Sequence, residues 1–528
     1  MKTFKIGRAG RYLLLFLMLP LMAAKAYAYD FSAVCSTGQT LYYNITDNGN
    51  HLVELTYPGT LDDYDYYHYN LWNGYTKPEG NITIPSTVTY NDVAYTVAAI
   101  GDYAFFYCSG LTGSLTIDNS VTEIGDYAFS GCYGFAGSLT IGNSVTEIGE
   151  CAFSSCFGFM GTLTIGNSVT EIGGEAFSGC RGFTGSLTIG NSVTEIGGEA
   201  FSGCTGFTGS LTIGNSVTEI GDYAFTYCDG FTGSLTIGNS VTEIGAGAFE
   251  GCSGFTGTLT IPNSVTEIGH YAFAFCSGFT GSLTIPNSVT EIGGYAFKSC
   301  CGFTGSLTIG NSVTEIGAGA FSVCYSFTGS LTIPNSVTEI GDCAFEYCSG
   351  FTGALTIGNS VIEIGSWAFA YCSGFTGALT IGNSVTEIGA EAFEDCSHLQ
   401  SLQVEALNPP IIRSDTFEDV NKAIPVTVPC GSLSAYQTAP YWRDFTNIRE
   451  GTGVEENDAA SSANFAYISN GELVISCEGK NTLHIFDMMG CMLSSQTING
   501  DCRISANRMT AGTYILNLNG MAQKIVVK

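Results

Sequence analysis

The same 24-residue sentence recurs along most of this chain. Residues 209–232 read GSLTIGNSVTEIGDYAFTYCDGFT, and near-copies precede and follow at the same spacing. One cysteine marks each copy: Cys108, Cys132, Cys156, Cys180, Cys204, Cys228, Cys252, Cys276, Cys300, Cys324, Cys348, Cys372 and Cys396, with no insertion anywhere. A unit this short cannot bury its own apolar face, so it must stack on its neighbours. The 528 residues therefore read as one long solenoid over residues 81–400 and not as three or four ordinary domains. With 45% hydrophobic and only 12% charged residues, there is material for a continuous core.

One coil can be read residue by residue. SLTI alternates, which points Leu211 and Ile213 inward and Ser210 and Thr212 outward. The next position is Gly214 here but Pro262, Pro286 and Pro334 in other coils, so it needs neither a positive φ nor its N–H, and the first strand ends there. In VTEI, Val217 and Ile220 flank an outward Thr218–Glu219 pair, with a bend. Gly221 is never replaced in its column and is the expected site of a positive φ. DYAFTYC predicts about one helical turn with Ala224, Phe225 and Cys228 facing the core.

The flanks differ from the repeat. Lys2, Lys5, Arg8 and Arg11 precede LLLFLMLPLM, and Ala26-Tyr27-Ala28 offers a cut before Tyr29, which predicts a secretory signal peptide over 1–28. That run is too short for a membrane span, and no later stretch is long and apolar enough, so no transmembrane segment is expected. Residues 29–80 carry a predicted hairpin, LYYNITD and HLVELTYP around NGN, and read as an N-terminal β cap. Residues 401–449 hold decayed copies and read as a C-terminal cap, 450–464 as a polar linker, and 465–528 as a small β module with strands at ELVIS, TLHIFD, TYILNL and KIVVK. The net charge is −30, and removal of the signal takes away five basic residues and no acid. Nucleic acid is excluded as a natural partner of such a surface, and an anionic membrane is disfavoured.

The recurring polar residues invite chemistry and do not supply it. One cysteine per coil without a partner histidine does not converge on a metal, which leaves a buried thiol ladder or, since export favours oxidation, some disulfide pairing. Cys151, Cys301 and Cys343 lie off the ladder and are the better redox candidates. Glutamates recur at Glu123 and every 24 residues to Glu387, about 4.8 Å apart if the strands stack. They read as a solvated face that blocks aggregation, or as a weak divalent-cation surface. Twelve equivalent carboxylates on an open face do not form a general acid–base pair. No phosphate loop, nucleophile elbow or zinc-protease motif occurs, so no catalytic residue, cofactor or metal site is assigned.

The string LTIPNSVTEIGHYAFAFCSGF (259–279) resembles the BspA-like, or treponemal, type of leucine-rich repeat, over roughly residues 81–420. The resemblance implies a mainly β fold: a curved right-handed solenoid with a parallel sheet on its concave side, here with 24 residues per coil where 23 is more usual. It also implies a secreted or surface protein, with several members acting as adhesins for host matrix or other cells. The tail, with LHIFDMMG (483–490), AGTYILNL (511–518) and KIVVK (524–528), resembles the C-terminal sorting domain of type IX secretion. That implies a β-sandwich read by the export machinery and display at the outer-membrane surface.

Two functions then compete: multivalent attachment to an extracellular protein or glycan, and a spacer or matrix component with no dedicated ligand. A hydrolase with an unrecognised site is a distant third. Variation is confined to the positions around Ala-Phe and after the cysteine. There lie Tyr223, Tyr227, Tyr271, Phe275, Tyr295, Tyr347, Trp367 and Tyr371, along with Tyr127. Pairs such as Tyr223 and Tyr227 would share one face of the helical turn. Such rings suit an interface, or they simply pack over neighbouring coils.

Overall fold

The computed structural model describes residues 29–59, 71–451, 466–469, 472–475, 477, 479–487, 492–505, 512–518 and 521–527. The expected signal peptide and nearly all of the expected linker lie outside the described residues. The repeat builds a parallel solenoid in which each strand pairs with its equivalent 24 residues on, as in Glu195↔Glu219↔Glu243. The Glu–Ile segments form a ladder from Val93–Ile100 to Glu387–Ile388, part of a 17-stranded sheet. Its rungs are doubled: Thr218 gives both its N–H (2.9 Å) and its hydroxyl (3.1 Å) to the Thr194 carbonyl. The Leu–Thr–Ile segments form a second ladder. Leu211 and Ile213 are buried and the threonine of the motif faces outward, as the alternation requires.

The Ala-Phe segment is not helical. It is a run of tight turns in which two residues four apart sit at left-handed φ, Tyr223 at 56° and Tyr227 at 54°. Its donors split in two directions. Tyr223, Phe225 and Tyr227 give their N–H groups to Ala246, Ala248 and Glu250 of the next coil at 2.7–2.8 Å. Ala224, Thr226 and Cys228 give theirs back to the carbonyls three residues earlier at 3.0–3.2 Å. Every donor is used, and half of them bind coil to coil, which an isolated helical turn could not offer.

The expectation of a positive φ at Gly221 is also corrected. Gly221 is not left-handed. A Cβ there would lie 2.7–2.8 Å from backbone atoms of Gly197, Gly198 and Ile196 in the preceding coil. The same holds at Gly173, Gly197, Gly245 and Gly293. This column needs glycine so that successive backbones can touch, and the left-handed work is done two residues later.

The core is a set of aligned columns. Phenylalanine rings stack from Phe105 to Phe417 with centroids about 5 Å apart, as in Phe201–Phe225 at 5.2 Å, and the row ends against Trp442. Ladder cysteines fill the next column. All are buried and free, and each from Cys132 onward donates its thiol to a phenylalanine carbonyl of the preceding coil, Cys228 to Phe201 at 3.0 Å. Burial pushes these thiols well above the ordinary cysteine pKa. At the N-terminal end, Thr40–Asp47 and Leu52–Thr56 pair antiparallel, and the latter pairs in parallel with Val93–Ile100 to join the solenoid. At the other end a short helix, Leu433–Thr438, and Trp442 close the core, with the Tyr436 hydroxyl on the Ala406 carbonyl and the Trp442 indole on the Pro410 carbonyl.

The Leu–Thr–Ile ladder is interrupted where the sequence has proline. At the position after this strand, a Cβ on glycine would lie 2.4 Å (Gly214), 2.1 Å (Gly238) or 2.4 Å (Gly310) from a carbonyl oxygen of the coil before. Proline carries that Cβ, so the coils must part. Strand pairing is absent at the steps into Pro262, Pro286 and Pro334. The asparagine rungs alongside, such as Asn215 N–H to Asn191 Oδ1 at 2.8 Å, are missing at the same steps. A fourth interruption, between Leu163–Thr164 and Leu187–Thr188, has no proline and no explanation in its sequence.

The tail forms two antiparallel sheets. One joins Ala466–Ser469, Glu472–Ile475 and Cys502–Ser505; the other joins Lys480–Asp487, Met492–Asn499, Gly512–Leu518 and Met521–Val527. Leu473, Ile475, Leu483 and Leu516 share one core, separate from that of the solenoid. No helix among the described residues is long and apolar enough to cross a membrane.

Candidate binding stripe

Each coil has two left-handed positions, one before Ala-Phe and one before the cysteine. Glycine fills some of them, as at Gly247, Gly251 and Gly319. The eight candidate rings fill others: Tyr223, Tyr271, Tyr295 and Trp367 in the first column, Tyr227, Phe275, Tyr347 and Tyr371 in the second, all at φ of 54–61°; smaller or charged residues such as Ser155, Glu199, Val323 and Cys343 fill further ones. A side chain there costs of order 1 kcal/mol against glycine. The rings are therefore held against local backbone preference by the coil-to-coil hydrogen bonds. Being left-handed, Tyr223 and Tyr227 share no helix face; they belong to two parallel columns.

Both readings of the rings have a physical basis. The rings do pack along the axis. Tyr271 stacks on Tyr295 at 4.9 Å and Tyr347 on Tyr371 at 4.5 Å, while Tyr223 and Tyr227 lie over Gly247 and Gly251 of the next coil. They also stay open to solvent. Tyr223, Tyr227, Tyr271, Phe275, Tyr347 and Trp367 are exposed, and Tyr295 and Tyr371 are half-buried. A hollow of about 450 Å³ lined by Gly179, Gly203, Arg181 and Thr205 abuts Tyr227, where the glycines leave the column empty.

Polar partners orient the last rings. The Trp367 indole donates to Glu391 at 2.9 Å and the Tyr371 hydroxyl to Glu394 at 3.0 Å. That bond to a carboxylate raises the Tyr371 pKa to about 12, and burial followed by the nearby Glu391 and Glu418 raises that of Glu394 against the opposing pull of Tyr371. Upstream, the Lys298 ammonium sits 5.0 Å over the Tyr295 ring.

Several features were invisible to pattern reading. Tyr133, Phe157 and Tyr325, in the variable position after the cysteine, are exposed too, and the first two stack at 5.4 Å. The left-handed columns could have been suspected from glycine recurring among their substitutes. The groove opened by Pro262 and Pro286, about 620 Å³ and lined by Thr260, Ile261, Thr284, Ile285 and Asn311, lies on another face. Two off-ladder cysteines are not activated, since burial lifts Cys151 to about 12 and Cys343 to about 11; Cys301 donates its thiol to the Val323 carbonyl. The glutamate ladder has its residues directly opposite one another in register, and at its end Glu387 pairs with Arg413 at 3.8 Å.

A family model described as a BspA type leucine-rich repeat region (6 copies) matches residues 81–208, 207–328 and 319–439. The chain belongs to the BspA-type leucine-rich repeat family. Among solved structures, a leucine-rich repeat protein from Bacteroides ovatus aligns at 23% identity and a TM-score of 0.52, over 78% of this chain and 98% of that one. This is a likeness of fold. A leucine-rich cell surface protein from Faecalibacterium prausnitzii aligns at 25% identity and 0.40, over 74% and 98%, and the pneumococcal vaccine antigen PcpA at 16% and 0.36, over 78% and 96%. No curated protein matches significantly. In this BspA-type chain the repeat framework is constant from coil to coil, and the ring columns are among its variable positions.

Proposed function

We propose that this protein is an exported surface adhesin, a non-enzymatic binding array that attaches to an extracellular protein or glycan through the ring columns. The observation that carries the reading is conformational. Large aromatic side chains occupy left-handed positions that glycine would fill at lower cost, and six of the eight candidates keep exposed faces. A pure spacer gains from such rings only where they stack on one another. The stacked pairs Tyr271–Tyr295 and Tyr347–Tyr371 favour the spacer reading, since stacking alone stabilises the array. The expected route is the signal peptide followed by type IX secretion with the tail as address.

The test is a screen of the purified protein against matrix proteins and glycans, repeated with Trp367→Ala/Tyr371→Ala. Loss of attachment in a variant with an unchanged circular dichroism spectrum supports the stripe. Unchanged attachment, or no ligand at all, favours the spacer.

A further inference from the structure

The repeat lets one coil be used as a control for another. Tyr295 and Trp367 occupy the same column three coils apart, both left-handed at φ 58° and 56°. Three residues after Tyr295 comes Lys298, whose ammonium lies over the Tyr295 ring. Three residues after Trp367 comes Ala370. In the first coil the chain supplies the ring with a cation; in the second it supplies none.

The surroundings of Trp367 call for one. Glu346 and Glu394 are the residues one coil before and one coil after Ala370 in its own column. Glu391 accepts the indole N–H of Trp367, and Glu394 accepts the Tyr371 hydroxyl. An indole or phenol that donates to a carboxylate holds more electron density in its ring face, which strengthens the attraction for a cation above it. The field of three carboxylates adds to that attraction, and an anionic ligand would meet repulsion from the same groups.

We propose that the exposed face of Trp367, backed by Glu391 and flanked by the Tyr347–Tyr371 stack, is a docking point for a basic side chain of an extracellular protein partner, filling the place that Lys298 fills over Tyr295. This rests on the adhesin reading and names its partner as a protein with exposed arginine or lysine.

The chain has three tryptophans, and Trp72 and Trp442 are buried, so fluorescence reports chiefly on Trp367 when a ligand covers it. Titration with an oligoarginine peptide should change that emission saturably, with calorimetry giving the affinity; oligoglutamate should not bind. Ala370→Lys supplies the missing cation in cis and should weaken oligoarginine binding at least tenfold. Thr260→Lys adds the same charge on another face and should leave it within twofold. Because Ala370 is fully buried, two further variants guard the test. Trp367→Ala should weaken binding at least tenfold, and Lys298→Ala should open a second site at Tyr295. Equal binding by Trp367→Ala and the parent overturns the proposal, as does an equal loss in Thr260→Lys and Ala370→Lys, which would reduce the effect to net charge. If matrix proteins or glycans bind in the screen while oligoarginine does not, the inference fails and the adhesin reading stands.

Discussion

Gly197 and Gly198 are neighbours in one coil, and the structure assigns them opposite tolerances. A Cβ on Gly197 would lie 2.5 Å from Gly174 N, 2.7 Å from Gly173 C and 2.9 Å from Gly174 Cα, all backbone of the preceding coil. None of these can rotate away, so Gly197→Ala must push two coils apart by several tenths of an ångström. The bonds that hold this step are Gly197 N–H to Ile172 O and Thr194 N–H to Thr170 O, both 2.9 Å. Weakening two such bonds costs about 1 kcal/mol each, and overpacking adds ~1–3 kcal/mol. Against this stands a gain of ~0.4–1 kcal/mol from a stiffer unfolded chain. The expected net loss is about 2–4 kcal/mol. On Gly198 a Cβ would meet only the Asp222 carbonyl oxygen at 3.3 Å. There the unfolded-state gain roughly cancels a small shift, so Gly198→Ala should fall within about 1 kcal/mol of the parent. Urea unfolding followed by circular dichroism compares the two, and hydrogen exchange at the Thr194 and Gly197 amides localises the damage. Equal midpoints for the two variants would refute the argument that close approach, and not left-handed φ, keeps glycine in this column.

Other outcomes follow from the same geometry. The amides of Leu235 and Ile237, at the step into Pro262, should exchange about tenfold faster than those of Leu211 and Ile213, and Pro262→Gly should bring the rates together. Ladder thiols should resist alkylation in the native protein, because burial raises their pKa and hides them; denatured, unreduced protein should then label most of them, and a need for reductant would overturn the free-thiol assignment. Glu315→Gln with Glu339→Gln should leave attachment unchanged and raise stability slightly by relieving repulsion across facing strands; calcium-dependent attachment lost in this variant would move the site to the acidic ladder. Deletion of 465–528 should trap the protein inside the cell envelope without shifting the melting of the solenoid, whereas normal display would reject the sorting role.

The 24-residue period by itself dictated stacking, and the alternation in Leu211–Ile213, with Val217 and Ile220 flanking a polar pair, dictated which side chains face inward. Cysteine and phenylalanine columns were legible for the same reason: a residue repeated in register is repeated in space. The sequence could not say what the backbone does between those fixed points. Gly221 looked left-handed because that is the commonest reason for glycine, yet its reason is a neighbour 24 residues away in the chain and under 3 Å away in space. DYAFTYC looked helical because its apolar spacing is three and four, yet its donors at Tyr223, Phe225 and Tyr227 reach the next coil instead. Proline at 262, 286 and 334 marked the end of a strand, but only the stacked coils reveal that its Cβ opens the ladder. The ring columns lie between these cases. Their confinement to variable positions was written in the sequence. Their left-handed φ and their half-open faces are decided by contacts between coils, which no single coil encodes.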